Sequence, residues 1–284
     1  MEIGWRNLKK PNYKKRWLIC VSIILVYIIY VFLQNNWLEV ERIEVKIDGL
    51  PKELAGFKIA QIADVHMTDT GPNLNTLIDK LERENPDLIV ITGDLIDKRA
   101  KIDNLLLGDL CQDLTKIAET YAVTGNHELW NNTAKWKRIL QENNVKIVED
   151  NIVIYHKNNR ALAIMGLKDN CPYSEEKFNN ISRVKNIPRI LLAHRPELFN
   201  TYCSDSYNIK TDLVLSGHAH GGQFRIPFLQ IGVFAPNQGL FPKYTSGLYA
   251  SPNGVQMIVS RGLGNSIIPV RINNRPHLPI ITLK

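Results

Sequence analysis

The chain has 284 residues, of which 44% are hydrophobic and 22% charged, as is typical of a folded protein with a full-sized core. Its formal net charge of +7 is concentrated in the first 16 residues, which carry six Lys or Arg against one Glu. The rest of the chain carries only about +2, which is not the basic body that nucleic-acid recognition requires, so no nucleic-acid partner is expected.

An apolar run without a charge, Trp17–Leu33, follows this basic tail directly. It is near the short end of the ~17–25 residues that cross a bilayer. Trp17, Tyr30 and Trp37 are suited to the membrane interfaces. A cleaved signal peptide and a buried core helix are the alternatives. The run is longer than a typical signal core and lacks a small-residue cleavage site after it, and a polycationic flank does not suit a core helix.

These features predict a single-pass protein of the cell membrane with an uncleaved signal anchor. The positive-inside rule places the basic tail in the cytoplasm and the body on the extracytoplasmic side. No linker or repeat divides the body, so one domain is expected. The predicted units are a tail over 1–16, a transmembrane anchor over 17–34 and a domain over 41–284.

Strands and helices alternate in the first half of the body, and strands dominate the second half. The segment 173–184 is predicted to be helical or irregular, and short strands with turns rich in Gly and Pro follow residue 223. Helices are predicted over 74–84, 105–117 and 135–142, and strands over 41–47, 57–63, 87–92, 121–124, 145–148, 152–155, 161–166, 189–193 and 211–216.

Polar side chains of one chemical kind follow five of these strands. Because ligands of open α/β sheets bind at the carboxyl ends of the strands, these side chains are expected to meet. Imidazole is the commonest metal ligand, and five of the seven histidines belong to this set. Each of these positions taken alone is consistent with a helix cap, a turn or a buried histidine, so the prediction depends on their joint pattern. The set is Asp64, His66, Asp94, Asn126, His127, His194, His218 and His220.

In order and spacing these motifs resemble the calcineurin-like metallophosphoesterase superfamily. The trailing Gly221-Gly222-Gln223 makes the chain similar to a bacterial, often membrane-associated subgroup with a GH(T/A)HGGQ signature. Ala63 and Ala219 replace a common Ser and a common Thr, and neither is a ligand. The motifs are Asp64-Val65-His66, Gly93-Asp94-Leu95-Ile96-Asp97, Gly125-Asn126-His127-Glu128, His194 and Gly217-His218-Ala219-His220.

The resemblance implies an α/β fold with a two-sheet β-sandwich flanked by helices (αββα), behind one N-terminal transmembrane helix. It also implies two divalent metal ions, bridged by Asp94. His127 would be a non-ligand catalytic histidine near the leaving group, and Asp97 would orient it. Asp64, His66 and His220 would hold one metal, and Asn126, His194 and His218 the other.

The chemistry of the residues agrees with phosphoester hydrolysis. Two cations about 3.5–4 Å apart neutralise a phosphate and lower the pKa of bound water. Carboxylate, imidazole and amide ligands suit Mn, Zn or Fe and do not single one out. The expected reaction is in-line attack of metal-bound hydroxide on a phosphodiester. Proton donation by His127 to the departing oxygen would contribute roughly 10²–10⁴-fold.

The substrate stays open, although the anchor suggests a lipid-linked or cell-wall-linked phosphoester. A lipid-linked nucleotide pyrophosphatase is the alternative of the same chemistry. A membrane sensor with purely structural metals is the alternative of another class, and it would not need His127 or Asp97.

Three weaker features complete the sequence. Arg195 is interpreted either as a contact to substrate phosphate or as a surface salt bridge. The large apolar residues between 224 and 234 are interpreted as core, with a lip touching membrane or lipid as the alternative. Because no Cys-x-x-Cys is present, no thiolate zinc site is predicted. A disulfide among Cys111, Cys171 and Cys203 stays open, and Cys20 lies in the apolar run.

Overall fold

A computed structural model describes residues 13–67, 73–169, 178, 184, 186–204, 211–265 and 269–284. Within these residues the body consists of two six-stranded sheets that pack face to face, with helices against the first sheet. The predicted two-sheet sandwich is therefore present. The predicted segment 173–184 lies outside the described residues, apart from Phe178 and Val184.

The first sheet is mostly parallel. In the described part of the chain its one antiparallel pair joins β16 to β2, so β1 and β16 run opposite to the other four strands. In spatial order the strands are β1 (Glu39–Val45), β16 (His277–Leu283), β2 (Lys58–Ile62), β3 (Leu88–Thr92), β4 (Glu119–Val123) and β5 (Lys146–Ile147).

The second sheet has four parallel strands between two antiparallel edge strands. Its spatial order is β14 (Gly247–Ala250), β15 (Gln256–Val259), β9 (Leu213–Ser216), β8 (Arg189–Leu192), β7 (Arg160–Gly166) and β6 (Asn151–Lys157). Two short hairpins precede β14, namely β10 (Arg225–Ile226) with β11 (Ile231–Gly232) and β12 (Phe234–Ala235) with β13 (Gly239–Leu240).

The alternation of side chains along the central strands explains the layered core. Leu88 and Val90 of β3 face the second sheet, while Ile89 and Ile91 face the helices. The continuous apolar run in this segment predicts a strand buried on both faces, and the structure confirms it. The helices on this side are α2 (Leu74–Glu84), α3 (Leu107–Ile117) and α5 (Thr133–Glu142).

Helix boundaries follow local capping. Asn73 accepts a hydrogen bond from the Thr76 amide (3.4 Å) at the start of α2, and Asn85 ends the helix in the left-handed conformation. Sequence patterns do not predict α4 (Asn126–Trp130), which begins directly after Gly125. On the outer face of the second sheet, the described residues supply one short helix, α6 (Phe199–Tyr202), and the loops after residue 223.

Helix α1 (Tyr13–Asn36) extends beyond the predicted anchor at both ends. Its 24 residues span about 36 Å, enough for a hydrocarbon core of about 30 Å. Among the described residues it is the one helix long and apolar enough to cross a membrane, and that statement rests on length and composition. Asn35, near its end, hydrogen-bonds the backbone of Arg271 in the body.

The interpretation of the apolar residues between 224 and 234 as core is wrong for four of them. Phe228, Leu229, Ile231 and Phe234 are exposed. They lie on the two short hairpins β10–β11 and β12–β13. The thiols of Cys20, Cys111 and Cys203 are free, and Cys171 lies outside the described residues.

A buried glutamine ties the two sheets together just below their carboxyl ends. The Gln61 side-chain amide donates to the Ser216 carbonyl of the second sheet (2.9 Å) and to Thr92 Oγ1 (3.1 Å). Gln61→Ala leaves the Ser216 carbonyl without this donor. We expect the free energy of unfolding to fall by about 1–3 kcal/mol, measured by urea titration of the full chain in detergent.

Gln112→Ala on the exposed face of α3 is the matched control. We expect it to change stability by no more than about 0.5 kcal/mol. Equal effects of the two substitutions would show that the Gln61 bridge does not join the sheets energetically.

Candidate metal centre

The structure brings the side chains singled out in the sequence to one place. They follow β2, β3 and β4 of the first sheet and β8 and β9 of the second, all at the carboxyl ends of the strands. All of them are buried. The cluster comprises Asp64, His66, Asp94, Asp97, Asn126, His127, His194, His218 and His220.

Five residues of this cluster have a strained, left-handed backbone conformation. A left-handed conformation costs a non-glycine residue on the order of 1–3 kcal/mol, and Asp and His tolerate it better than most. The loops after β2 and β3 hold each other in this conformation, because the Asp64 and His66 amides donate to the Gly93 and Asp94 carbonyls (3.1 and 3.0 Å). The positive φ angles are 48° at Asp64, 46° at His66, 54° at Asp94, 66° at His218 and 47° at His220.

Two glycines let these loops approach each other. Gly93 has a φ of 93°, and a Cβ there would lie 2.6 Å from His194 Nδ1. A Cβ on Gly217 would lie 2.6 Å from Asp64 Oδ2. Because neither position has room for a side chain, glycine is required for the observed spacing of the polar groups.

One group of possible ligands consists of Asp64, His66 and His220, whose donor atoms all lie within 4.8 Å of one another. The Nε2 atoms of the two histidines are 3.0 Å apart. Asp64 Oδ1 is 3.8 Å from His220 Nε2. Both Asp64 oxygens also accept the His218 amide at 3.0 Å, which fixes the carboxylate against the second sheet.

A second group consists of Asp94, His194 and His218, within the same limit of 4.8 Å. His194 Nε2 is 3.3 Å from Asp94 Oδ2, 3.1 Å from His218 Nδ1 and 3.2 Å from Asn126 Oδ1. Asp94 Oδ2 is also 3.7 Å from His66 Nε2, so this carboxylate lies between the two groups.

The residues present fit divalent cations. Carboxylate, imidazole and amide donors of this kind suit borderline metals such as Mn, Fe and Zn. In each group two ring nitrogens lie 3.0–3.1 Å apart. A proton between them would satisfy only that pair of atoms, whereas a cation can accept lone pairs from all the donors of the group. The cluster is buried and holds two carboxylates at its centre, Asp64 and Asp94.

Burial sets most of the histidines to their neutral form. It lowers the pKa of His66 to about 4 and that of His218 and His220 well below the ordinary value. Neutral imidazole is the form that binds metals. Burial alone would also lower the pKa of His194, but the Asp94 carboxylate raises it to about 10. A metal ion at His194 would compete with this proton for the ring nitrogen.

The two carboxylates at the centre differ. Burial raises the pKa of Asp64 to about 7, although His194 opposes this effect. Burial would also raise the pKa of Asp94, but the neighbouring His194 and His66 hold it well below its usual range. The pKa shifts therefore favour the ionised form at Asp94 more strongly than at Asp64.

His127 lies beside the cluster with a defined tautomer. Its Nδ1 accepts the Lys98 amide (3.0 Å), so the proton of the neutral ring is on Nε2. Burial lowers its pKa. Asp97 Oδ2 is 3.5 Å from His127 Nδ1, farther than the Lys98 nitrogen. Arg99 holds Asp97 through its Nε and Nη2 atoms at 2.8 and 3.2 Å.

Three residues to which sequence reasoning gave no role support the cluster. Glu128 accepts backbone amides of Asp94, Ile96 and Gly125 (2.9, 3.2 and 2.7 Å). Its position at the third residue of α4 is the capping pattern that could have revealed it. The other two carry no such local signal. Asn274, in the long loop between β15 and β16, donates to the carbonyls of His220 and Gln223, and Asn237, in the turn between β12 and β13, lies 3.0 Å from His218 Nε2.

Arg195 forms an ion pair with a neighbouring carboxylate. Its Nε and Nη2 atoms donate to the two oxygens of Asp169 at 2.7 and 2.9 Å. The salt-bridge interpretation is therefore the one that the structure shows, with a buried carboxylate as the partner.

Comparison with known proteins points to one family. The family model described as calcineurin-like phosphoesterase matches residues 57–222, which is more than half of the chain. That range contains every residue of the cluster. The metallophosphoesterase YkuE of Bacillus subtilis is 28% identical over 259 residues, covering 89% of this chain and 88% of that protein.

Two further proteins are similar over most of the chain. The phosphodiesterase YaeI of Escherichia coli is 28% identical over 265 residues, 89% of this chain and 90% of its own. A zebrafish protein called transmembrane protein with metallophosphoesterase domain is 27% identical over 257 residues, 85% of this chain and 56% of its own. The solved structure of TT1561 from Thermus thermophilus aligns at 12% identity and TM-score 0.46, covering 73% of this chain and 90% of that one.

Metal content tests the central position of Asp94. Because Asp94 Oδ2 lies near ligands of both groups, Asp94→Asn weakens both. We expect the full chain, loaded with Mn²⁺ in detergent, to bind about two ions when unmodified and fewer than about one after the substitution. Inductively coupled plasma mass spectrometry gives the count. Asp109→Asn on the exposed face of α3 is the control, and two ions retained by Asp94→Asn would contradict the assignment.

Proposed function

Because the chain belongs to the calcineurin-like phosphoesterase family and is therefore a phosphoester hydrolase, we propose that it hydrolyses phosphodiesters with two divalent metal ions held between its sheets. The observation that carries this proposal is the position of Asp94, which belongs to the same buried ligand group as His194 and His218 and lies 3.7 Å from His66 of the other group. A pair of sites with one shared carboxylate suits a phosphate, whose oxygens can bind to both.

The ligand assignment follows the two groups. Asp94 lies between them and would be a ligand of both ions, and Asn126 would join the second group through its Oδ1 atom, 3.2 Å from His194 Nε2. Bound divalent cations supply charge that neutralises the phosphate and lowers the pKa of water. Asp64, His66 and His220 would hold one cation, and Asn126, His194 and His218 would hold the other.

His127 assists the leaving group. Its Nε2–H is a hydrogen-bond donor, because Nδ1 is occupied by the Lys98 amide. A ring nitrogen of His127 lies within 4.8 Å of both Asp94 and His66, close to where the phosphate binds. For full proton transfer the ring must also gain a proton on Nδ1. A small rotation from the Lys98 amide toward Asp97 Oδ2, 3.5 Å away, provides an acceptor for it.

The substrate is proposed to be a phosphodiester presented at the membrane. The name of the Escherichia coli relative, phosphodiesterase, supports the diester class. Helix α1 anchors the protein and the basic tail keeps the body outside the cytoplasm, so lipid-linked or cell-wall-linked esters are within reach. A lipid-linked nucleotide pyrophosphatase would use the same residues on another substrate. A metal-containing sensor would leave His127 and Asp97 without a role.

Substitution of His127 tests its catalytic part. His127→Ala removes the donor to the leaving oxygen, but none of the assigned ligands. We expect metal content to be unchanged and turnover of bis(p-nitrophenyl) phosphate with Mn²⁺ to fall by about 10²–10⁴-fold. The measurement is release of p-nitrophenol by the full chain in detergent.

His156→Ala is the control, because His156 is exposed on β6 at the opposite end of the sheet from the metal centre. It should leave turnover unchanged. If His127→Ala has normal turnover, the role of His127 is wrong. A metal-loaded protein inactive on every phosphoester would favour the sensor.

A further inference from the structure

We propose that the hairpin of β10 and β11, residues 225–232, inserts its tip into the lipid bilayer that α1 crosses. This hairpin would be a second membrane contact, connected directly to the metal centre. The inference rests on the proposed membrane anchoring by α1 and adds a surface of the body that meets the lipid.

The tip of the hairpin is apolar and uncovered. Phe228 is 99% exposed, Leu229 65% and Ile231 42%. The next hairpin adds Leu240 and Phe241, which are 70% and 65% exposed. Adjacent exposed apolar side chains of this size mark a contact surface for a protein or a membrane.

The backbone conformation of the tip disfavours bulky residues, so the turn itself does not explain why they are present. Phe228 has a φ of 66° and Gln230 a φ of 56°. Bulky residues rarely adopt this left-handed conformation, for which Gly, Asn or Asp is preferred. Phe241 on the second hairpin has a φ of 52°. Turns adapted only to water would not place a phenylalanine in this conformation in each of two neighbouring hairpins.

Contacts with α1 show which way the neighbouring chain runs. The Arg271 amide donates to Asn35 Oδ1 (2.9 Å), and Asn35 Nδ2 donates to the Arg271 carbonyl (3.2 Å). Two residues later, Asn273 Oδ1 accepts the Tyr30 hydroxyl. Tyr30 precedes Asn35 by five residues, or about 7.5 Å along the helix. The segment 271–273 therefore runs beside α1 toward its apolar middle.

The hairpin continues in the same direction. Phe224 forms a parallel bridge with Ile272, and the Arg225 amide donates to the Ile272 carbonyl (3.0 Å). The Asn273 side chain in turn donates to the Arg225 carbonyl (3.1 Å). Because the two segments are parallel, the chain that leaves Arg225 points along α1 into its apolar stretch. The tip is thus carried to the depth of Tyr30 or beyond.

The membrane surface itself is marked by Trp37. Its ring is 54% exposed and stacks with the Arg275 guanidinium at 4.7 Å from the ring centre. Trp and Arg of this kind favour the level of the lipid headgroups. Tyr30 lies about 10 Å farther along the helix, which is the step from headgroups to acyl chains. Because the apolar tip lies at the level of the acyl chains, a bilayer suits it better as a partner than a second protein chain does.

The hairpin is also joined to the metal centre. Gly232 packs so closely on Gly222 that a Cβ on Gly222 would lie 2.4 Å from the Gly232 Cα. The Val233 amide donates to the Gly222 carbonyl (3.1 Å). Lipid contact by the tip would therefore fix the distance of the metal centre from the headgroups, where a phosphoester of a lipid is found.

Photocrosslinking in the full chain tests the insertion. Phe228→p-benzoylphenylalanine is reconstituted in vesicles of phosphatidylcholine and phosphatidylglycerol, irradiated and analysed for lipid adducts by mass spectrometry. The same residue at Phe32 in α1 reports on the anchor, and at His156 it reports on an exposed site at the opposite end of the body. We expect acyl-chain adducts at positions 228 and 32 and none at 156.

Each other outcome contradicts a different statement. Adducts at 32 without adducts at 228 would overturn the insertion and leave the anchor. A crosslink from 228 to a second protein chain would also overturn it. No adduct at either position would overturn the anchoring on which it rests. Turnover of bis(p-nitrophenyl) phosphate in the same vesicles reports separately on the proposed hydrolysis.

A second variant removes the apolar tip without straining the turn. Phe228→Asn suits the left-handed backbone, so the fold and the turnover of the soluble diester should be unchanged. With the photoreactive residue moved to position 229, we expect this substitution to lower the adduct yield by about tenfold or more. An unchanged yield would contradict a role of Phe228 in insertion.

Discussion

The structure depends on the burial of charged and polar groups between two sheets. Asp94 keeps its negative charge in the interior because imidazoles surround it, with His194 Nε2 at 3.3 Å and His66 Nε2 at 3.7 Å. A buried charge is stable only when it is paired. The proposed cations meet the same requirement, since they add the positive charge that the carboxylates and neutral histidines lack. The left-handed turns at the strand ends are the conformational cost of this convergence.

Polar residues farther from the centre hold the loops in these conformations. Glu128 gathers three backbone amides from the loops after β3 and β4, and Asn274 braces the turn that follows His220. Gln61 joins the first sheet to the carbonyl of Ser216, two residues before His218. The ligands from different sheets are thereby kept in register, and the hairpin at residues 225–232 would extend this rigid unit to the membrane.

Sequence patterns predict the elements that have a regular hydrophobic periodicity or a continuous apolar run. Helix α2 has the predicted bounds, and β3 is buried on both faces as its apolar run indicates. Helix α4 has only five residues, too few for a periodic pattern. The apolar residues near Phe228 are exposed, although their hydrophobicity predicts a position in the core. Hydrophobicity alone does not show whether a hairpin is covered by another layer of the protein. Asn237 contacts His218 from the turn between β12 and β13, a contact distant in sequence that no local signal reveals. The convergence of the cluster could be predicted because five strand ends carry side chains of the same chemistry.

The most direct test of this account is anomalous diffraction from crystals of the full chain grown with Mn²⁺. The account predicts two anomalous peaks about 3.5–4 Å apart, with Asp94 between them and one group of ligands around each. One peak, or peaks that do not contact His66 and His194, would contradict the central claim.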